Sequence, residues 1–416
     1  MSEKYINNER TKDWLILPIL VVSYVSMNLS IGLGLIVLIL LSTYRKFRIP
    51  KDNILLVFLI ILILGIGMGI INDNGFYNIE RDFSYYIGPM IFFVLGIELS
   101  FFDNININKL FILYTSIRTF FVFTNLIFFH TDVIFSGNFQ NVREYLMGGE
   151  LIVPLALCLI LFRKKFNTGY IGNNTLVFIM ECVLLARLIF SFSRSMMISF
   201  LIDYFVFLFF SRDKLNIRSI SKGILVVFFG VIFIYLSSNT QNIYVTTLFN
   251  KFSNIGSEIF SKNNWNDYTN IVQDWRGYET SVAKQVFSDS SVINKLFGSG
   301  FGKLFPVLYS DLVGVSETAN GITIIHNGYL FNLVKIGILG LFLYIVFFIQ
   351  LISHAVTTLN KASTKKPILI AYSLSSLVAT YVIVGVFQRN FDSGFMLFIG
   401  LMYSYGVNKR TINAEV

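Results

Sequence analysis

Charge is scarce in this sequence. Asp, Glu, Lys and Arg make up 14% of the 416 residues, against 55% hydrophobic ones. A soluble helical protein alternates apolar stripes with charged faces, and most of this chain has too little charge to do so. Cysteine is nearly absent: Cys158 and Cys182 sit in apolar segments, without metal-ligand spacing. No Walker-type phosphate loop occurs, which argues against ATP-driven pumping. No Asp-x-Asp pair points to a divalent metal, so neither a metal nor a cofactor is expected. The polar start, Met1 to Asp13, mixes both signs of charge, and no small-residue cut site follows Trp14–Ser26. That apolar run is expected to stay as a first span.

What the chain has instead is long apolar runs, rich in its 44 Phe residues. In lipid a helix satisfies its own backbone hydrogen bonds, so such runs predict an all-α integral membrane protein. Spans are expected at about 14–27, 30–43, 54–72, 85–102, 109–130, 150–162, 174–192, 195–211, 219–237, 327–352, 367–386 and 391–407, twelve in all. The formal net charge of +9 does not mark a nucleic-acid binder. Lys and Arg cluster in short loops: Arg45 to Lys51, Arg163 to Lys165, Arg212 to Lys222, Lys361 to Lys366, and Lys409-Arg410. By the positive-inside rule those loops and both termini are cytoplasmic. The chain then divides into spans one to nine (1–237), one large periplasmic or extracellular loop (238–326), and spans ten to twelve (327–416). The loop has few prolines and is not an extended linker; a short helix is expected over Ser281–Phe287, broken by Gly298–Gly302.

The outer side carries Arg81, Arg143, Arg194, Arg276 and Arg389. Arginine presents a planar fork that matches phosphate and carboxylate bidentately. Arg81, between Glu80 and Asp82, reads as a local ion pair. Arg194 lies in the short turn Ser191-Phe192-Ser193-Arg194-Ser195, where a charge beside hydrocarbon needs a partner. Arg187, near the outer end of its span, is a further phosphate candidate, and Asp203 is placed to hold either Arg187 or Arg194. His326 opens an apolar run and fits two roles, a general base for a sugar hydroxyl or a helix cap at the interface. Asn327 is placed to orient that histidine or a substrate. His130 is a weaker second candidate, and His354 a bystander.

In order along the chain stand Ser193-Arg194, Trp275-Arg276-Gly277-Tyr278-Glu279, Gly298-Ser299-Gly300-Phe301-Gly302, and His326-Asn327 leading to Gly337-Ile338-Leu339-Gly340. This succession resembles the O-antigen ligase and O-antigen polymerase superfamily of bacterial envelope glycan enzymes, over roughly the second half of the chain. The resemblance implies a GT-C-like, metal-independent, inverting membrane glycosyltransferase in the bacterial cytoplasmic membrane. Its donor would be an oligosaccharide on undecaprenyl diphosphate, drawn from the surrounding membrane lipids. By carry-over Arg194 and Arg276 grip the diphosphate and His326 serves the acceptor hydroxyl. Arg143, Arg187, Tyr278, Asn327, Gly298 and Gly300 then line the substrate. A chain-length-determining co-polymerase and a flippase are the partners it implies. A polymerase joining O-antigen or capsule repeat units is the leading expectation. A ligase with the same donor is the nearest alternative, and a lipid-linked sugar transporter the alternative of another class. The sequence departs from the pattern in a long insertion, bearing Asp311 and Glu317, between the glycine turn and His326.

Overall fold

The computed structural model describes residues 27–45, 54–100, 106–135, 142, 145–146, 148–166, 173–191, 193–211, 265, 267–308, 321–359, 363–382, 386 and 392–414. These residues form fifteen helices. In chain order they are α1 (Met27–Arg45), α2 (Ile54–Ile71), α3 (Phe76–Leu99), α4 (Ile107–Phe129), α5 (Thr131–Phe135), α6 (Ile152–Leu161), α7 (Arg163–Phe166), α8 (Asn174–Phe190), α9 (Arg194–Phe210), α10 (Tyr268–Gln273), α11 (Trp275–Ser288), α12 (Val292–Phe297), α13 (Gly328–Thr358), α14 (Lys365–Ala379) and α15 (Ser393–Ala414). Among the described residues α2, α3, α4 and α13 are each long and apolar enough to cross a membrane, and no strand forms beyond one isolated bridge. A helix stands at ten of the twelve expected positions. The expected spans at 14–27 and 219–237 lie outside the described residues, except for Met27, as do Arg143, Arg389, Asp311 and Glu317.

Two boundaries differ from the expectation in ways that matter. Helix α3 begins at Phe76 rather than near position 85, so Asp82 is a buried helical residue and not a loop acid. Helix α11 begins at Trp275 rather than Ser281, because Asp274 caps it: its carboxylate accepts the Gly277 amide at 3.0 Å. Arg276 is therefore on a helix. A further helix, α12, precedes the glycine turn, capped by Ser291.

The described residues group into two compact units. The first takes Met1–Ile107, Asn263–Leu359 and Ser376–Val416; the second takes Asn108–Lys262 and Asn360–Ser375. The core of the first holds Phe92, Phe93, Phe347, Phe348 and Met396. Helix α3 crosses α15 closely because small residues meet: a Cβ on Gly96 would lie 2.1 Å from the Leu397 carbonyl oxygen. The core of the second is built on α6, where Leu155, Cys158 and Leu159 are fully buried. Within this unit Asp203 accepts a hydrogen bond from Ser375, so the Ser375 hydroxyl, and not Arg187 or Arg194, holds it.

The described residues 267–308 and 321–326 thus pack within the first unit. The glycine turn is the joint. Ser299 and Gly300 donate their amides to the carbonyls of Val334 and Lys335 at 2.8 and 3.0 Å, and Phe301 donates to Gly65 at 2.8 Å. Those two carbonyls are open because α13 breaks at Gly337, whose φ of 70° and ψ of −173° are non-helical. Gly300, at φ 86°, lies so near α2 that a Cβ would sit 2.0 Å from the Gly69 nitrogen. Asn74 closes the other side, donating to the carbonyls of Ser299 and Phe301 at 2.7 and 2.9 Å. Beside this joint is a buried ion pair: Lys335 Nζ lies 2.5 Å from Asp82 Oδ2, which also accepts the Gly302 amide at 2.7 Å. Lys335 donates as well to the Lys303 carbonyl.

Candidate active site

His326 stands immediately before α13, and Asn327 is the cap: its side-chain oxygen accepts the Leu330 amide at 3.1 Å. The histidine is thereby left to another partner, Glu279 on α11. Glu279 Oε2 lies 2.7 Å from His326 Nδ1 and accepts the His326 backbone amide at 3.0 Å. The second oxygen, Oε1, accepts the indole N–H of Trp275 at 2.6 Å. Trp275 and Glu279 are four apart on one helix, so they share a face.

The burial of the pair is uneven. The Glu279 side chain is 3% exposed and that of His326 47%. A carboxylate only accepts, so Nδ1 carries the ring proton of the neutral imidazole and Nε2 keeps a lone pair. An oriented imidazole with a free basic nitrogen can take a proton from a hydroxyl. Both oxygens of Glu279 are occupied, one by the Trp275 indole and the other by His326.

Arg276 lies one helical turn before Glu279 and is half-buried. Tyr278 is turned inward: it is buried, its ring packs between Trp265 (5.9 Å) and Trp275 (5.6 Å), and its hydroxyl accepts the Leu308 amide at 2.7 Å. Leu308 lies three residues past Phe305, which forms an isolated bridge with Ile322, four residues before His326. Gly298 and Gly300 meet α13 and α2 through their backbones, in the joint described above. Arg81 pairs with Asp82 at 3.4 Å, as its neighbours imply.

In the second unit, Arg194 is the first residue of α9, after Ser193, whose hydroxyl accepts the Met196 amide. Arg187 is buried, with Nη2 donating to the Gly148 carbonyl at 3.3 Å. It borders a small cleft lined also by Thr115, Arg118, Thr119 and Gly149. His130 packs its ring on Tyr145, and His354 packs on Tyr403.

Glu279 is the residue that sequence reasoning passed over. It was in view, closing the Trp-Arg-Gly-Tyr-Glu segment, but its partner is 47 positions away. The available signal was chemical: a candidate base calls for an acid to orient it, and Glu279 closes the same short segment that holds Arg276.

No curated protein matches the chain. The family model described as O-antigen ligase matches residues 177–345, a stretch that holds Arg187, Arg194, Arg276, Glu279 and His326. That match supports the O-antigen polymerase and ligase superfamily for this chain.

Proposed function

We propose that the chain is a glycosyltransferase that joins oligosaccharide repeat units carried on undecaprenyl diphosphate, at the outer face of the bacterial cytoplasmic membrane. The observation that carries this reading is the Glu279–His326 pair, half-open and backed by Trp275. The acceptor hydroxyl gives its proton to His326 Nε2 while its oxygen attacks the anomeric carbon of the donor. The carbon–oxygen bond to the diphosphate breaks, and the electron pair leaves on the phosphate oxygen. Attack opposite the leaving group inverts the anomeric centre. Arg276 offers a fixed guanidinium to the developing charge, which a preorganised donor stabilises without reorganisation. By resemblance Arg194 takes the same role.

The ligase reading keeps the donor and the residues and changes only the acceptor; the family match is compatible with either. Surface glycan from a deletion strain separates the two. Loss of a polymerase leaves single repeat units on the final acceptor, whereas loss of a ligase leaves long chains on undecaprenyl diphosphate. The shared chemistry is tested in the same strain by complementation. Arg276→Ala should lower transfer on the order of a hundredfold at unchanged protein level. Normal glycan from both Arg276→Ala and His326→Ala would rule out the enzymatic reading.

A further inference from the structure

Helix α12 has an unusual surface for a short helix of a polar loop: none of its residues is buried. Val292 and Ile293 are 73% and 62% exposed, and Leu296 and Phe297 are exposed beside them. Two attachments fix its height. Asn294 and Asn72 exchange side-chain amide hydrogen bonds at 3.2 and 3.3 Å, and Asn72 immediately follows the end of α2 at Ile71. At its other end, Leu296 and Gly298 press against the break in α13, where a Cβ on Gly337 would lie 2.4 Å from the Leu296 carbonyl oxygen.

Both attachments mark the end of a membrane-length segment. Helix α2 carries no charge from Ile54 to Ile71, and at 1.5 Å per residue it is roughly 27 Å long. Past the break, residues 338–358 of α13 make roughly 31 Å of helix, against a hydrocarbon core of about 30 Å. Two independent spans therefore end where α12 lies. Further exposed apolar side chains stand at the same end of α2: Ile70 and Ile71 finish it, and Phe76 and Tyr77 open α3. Tyr at such a height is the common occupant of the headgroup zone.

We infer that α12 is an interfacial helix whose Val292, Ile293, Leu296 and Phe297 side chains enter the lipid at the boundary between headgroups and acyl chains. Lys295, half-buried in the same helix, reaches phosphate level, as a long cationic side chain does. The stretch of α13 before the break, residues 328–336, then lifts His326 about 14 Å of helix beyond that boundary. This height suits chemistry on the headgroup of a lipid, but the assignment of α12 does not depend on the catalytic reading.

The test places a nitroxide at Ile293→Cys in the full chain carrying Cys182→Ser, since Cys182 is exposed and Cys158 buried. A second label at Lys284→Cys, on the exposed side of α11, is the reference. In proteoliposomes of phosphatidylethanolamine and phosphatidylglycerol, power saturation is read with oxygen and with a water-soluble nickel chelate. The expected result is a ratio of oxygen to nickel accessibility at 293 several times that at 284. Dominant nickel access at 293 would put α12 in water and overturn the inference. Exclusion of both reagents would also overturn it, since the helix would then be covered by protein, a second copy included.

Discussion

Two acid–base pairs in the first unit look alike on paper and differ in their surroundings. Lys335 and Asp82 are both fully buried at 2.5 Å, and their further partners are the Gly302 amide, the Lys303 carbonyl and Arg81, which pairs with Asp82 Oδ1 at 3.4 Å. Phe305 and Phe331 lie within 5.5 Å of the ammonium. His326 and Glu279 are as close, at 2.7 Å, but the histidine keeps half its surface open. Closure on all sides makes a strut; closure on one side leaves an oriented ring open. The first pair ties the glycine turn to α3 and α13, and the second stands where that tied loop returns to the start of α13.

Substitutions separate the two pairs. His326→Ala should cut transfer by about a hundredfold to ten-thousandfold, the usual share of a general base. Its thermal unfolding in detergent should stay where it is, since the side chain is half-exposed. Lys335→Met should do the reverse in kind: it leaves the buried Asp82 carboxylate with only the more distant, partly exposed Arg81 as a cation and lowers stability by about 3 kcal/mol, the lower end for breaking a buried pair, read as a fall in melting temperature. Adding Asp82→Leu to that variant should recover most of the loss, because removing both charges leaves no buried ion. Glu279→Gln keeps the shape of the carboxylate but can donate to Nδ1, which favours the wrong tautomer. A loss on the order of a hundredfold in kcat is expected. Trp275→Phe removes one hydrogen bond to a charged group and keeps the ring, so about a tenfold fall in kcat at unchanged KM is expected.

The sequence carries much of this arrangement, for physical reasons that can be traced to single residues. Lipid-length apolar runs announce themselves, and α2 and α13 stand where such runs predict them. Caps were harder to weigh: Asp274 starts α11 six residues before the expected helix. His326 could be singled out because it is one of three histidines and stands at a polar-to-apolar junction. Glu279 could not be paired with it, since their contact is set by how α11 docks on α13, a tertiary event with no local periodicity. The glycine turn illustrates the same limit. Three glycines in five residues signal an unusual backbone, but only the fold reveals that the turn closes over carbonyls freed by Gly337. Asp82 was hidden for the opposite reason: a polar, charged stretch reads as a loop until a buried lysine on another helix explains it.

The most direct test of the account is a double-mutant cycle on glycosyl transfer by the purified protein, with His326→Ala, Glu279→Gln and the two combined. If Glu279 works only through the ring it orients, the double variant is as slow as His326→Ala alone and no slower. Losses that multiply would give Glu279 a separate role, and a fully active His326→Ala protein would remove the base on which the whole mechanism rests.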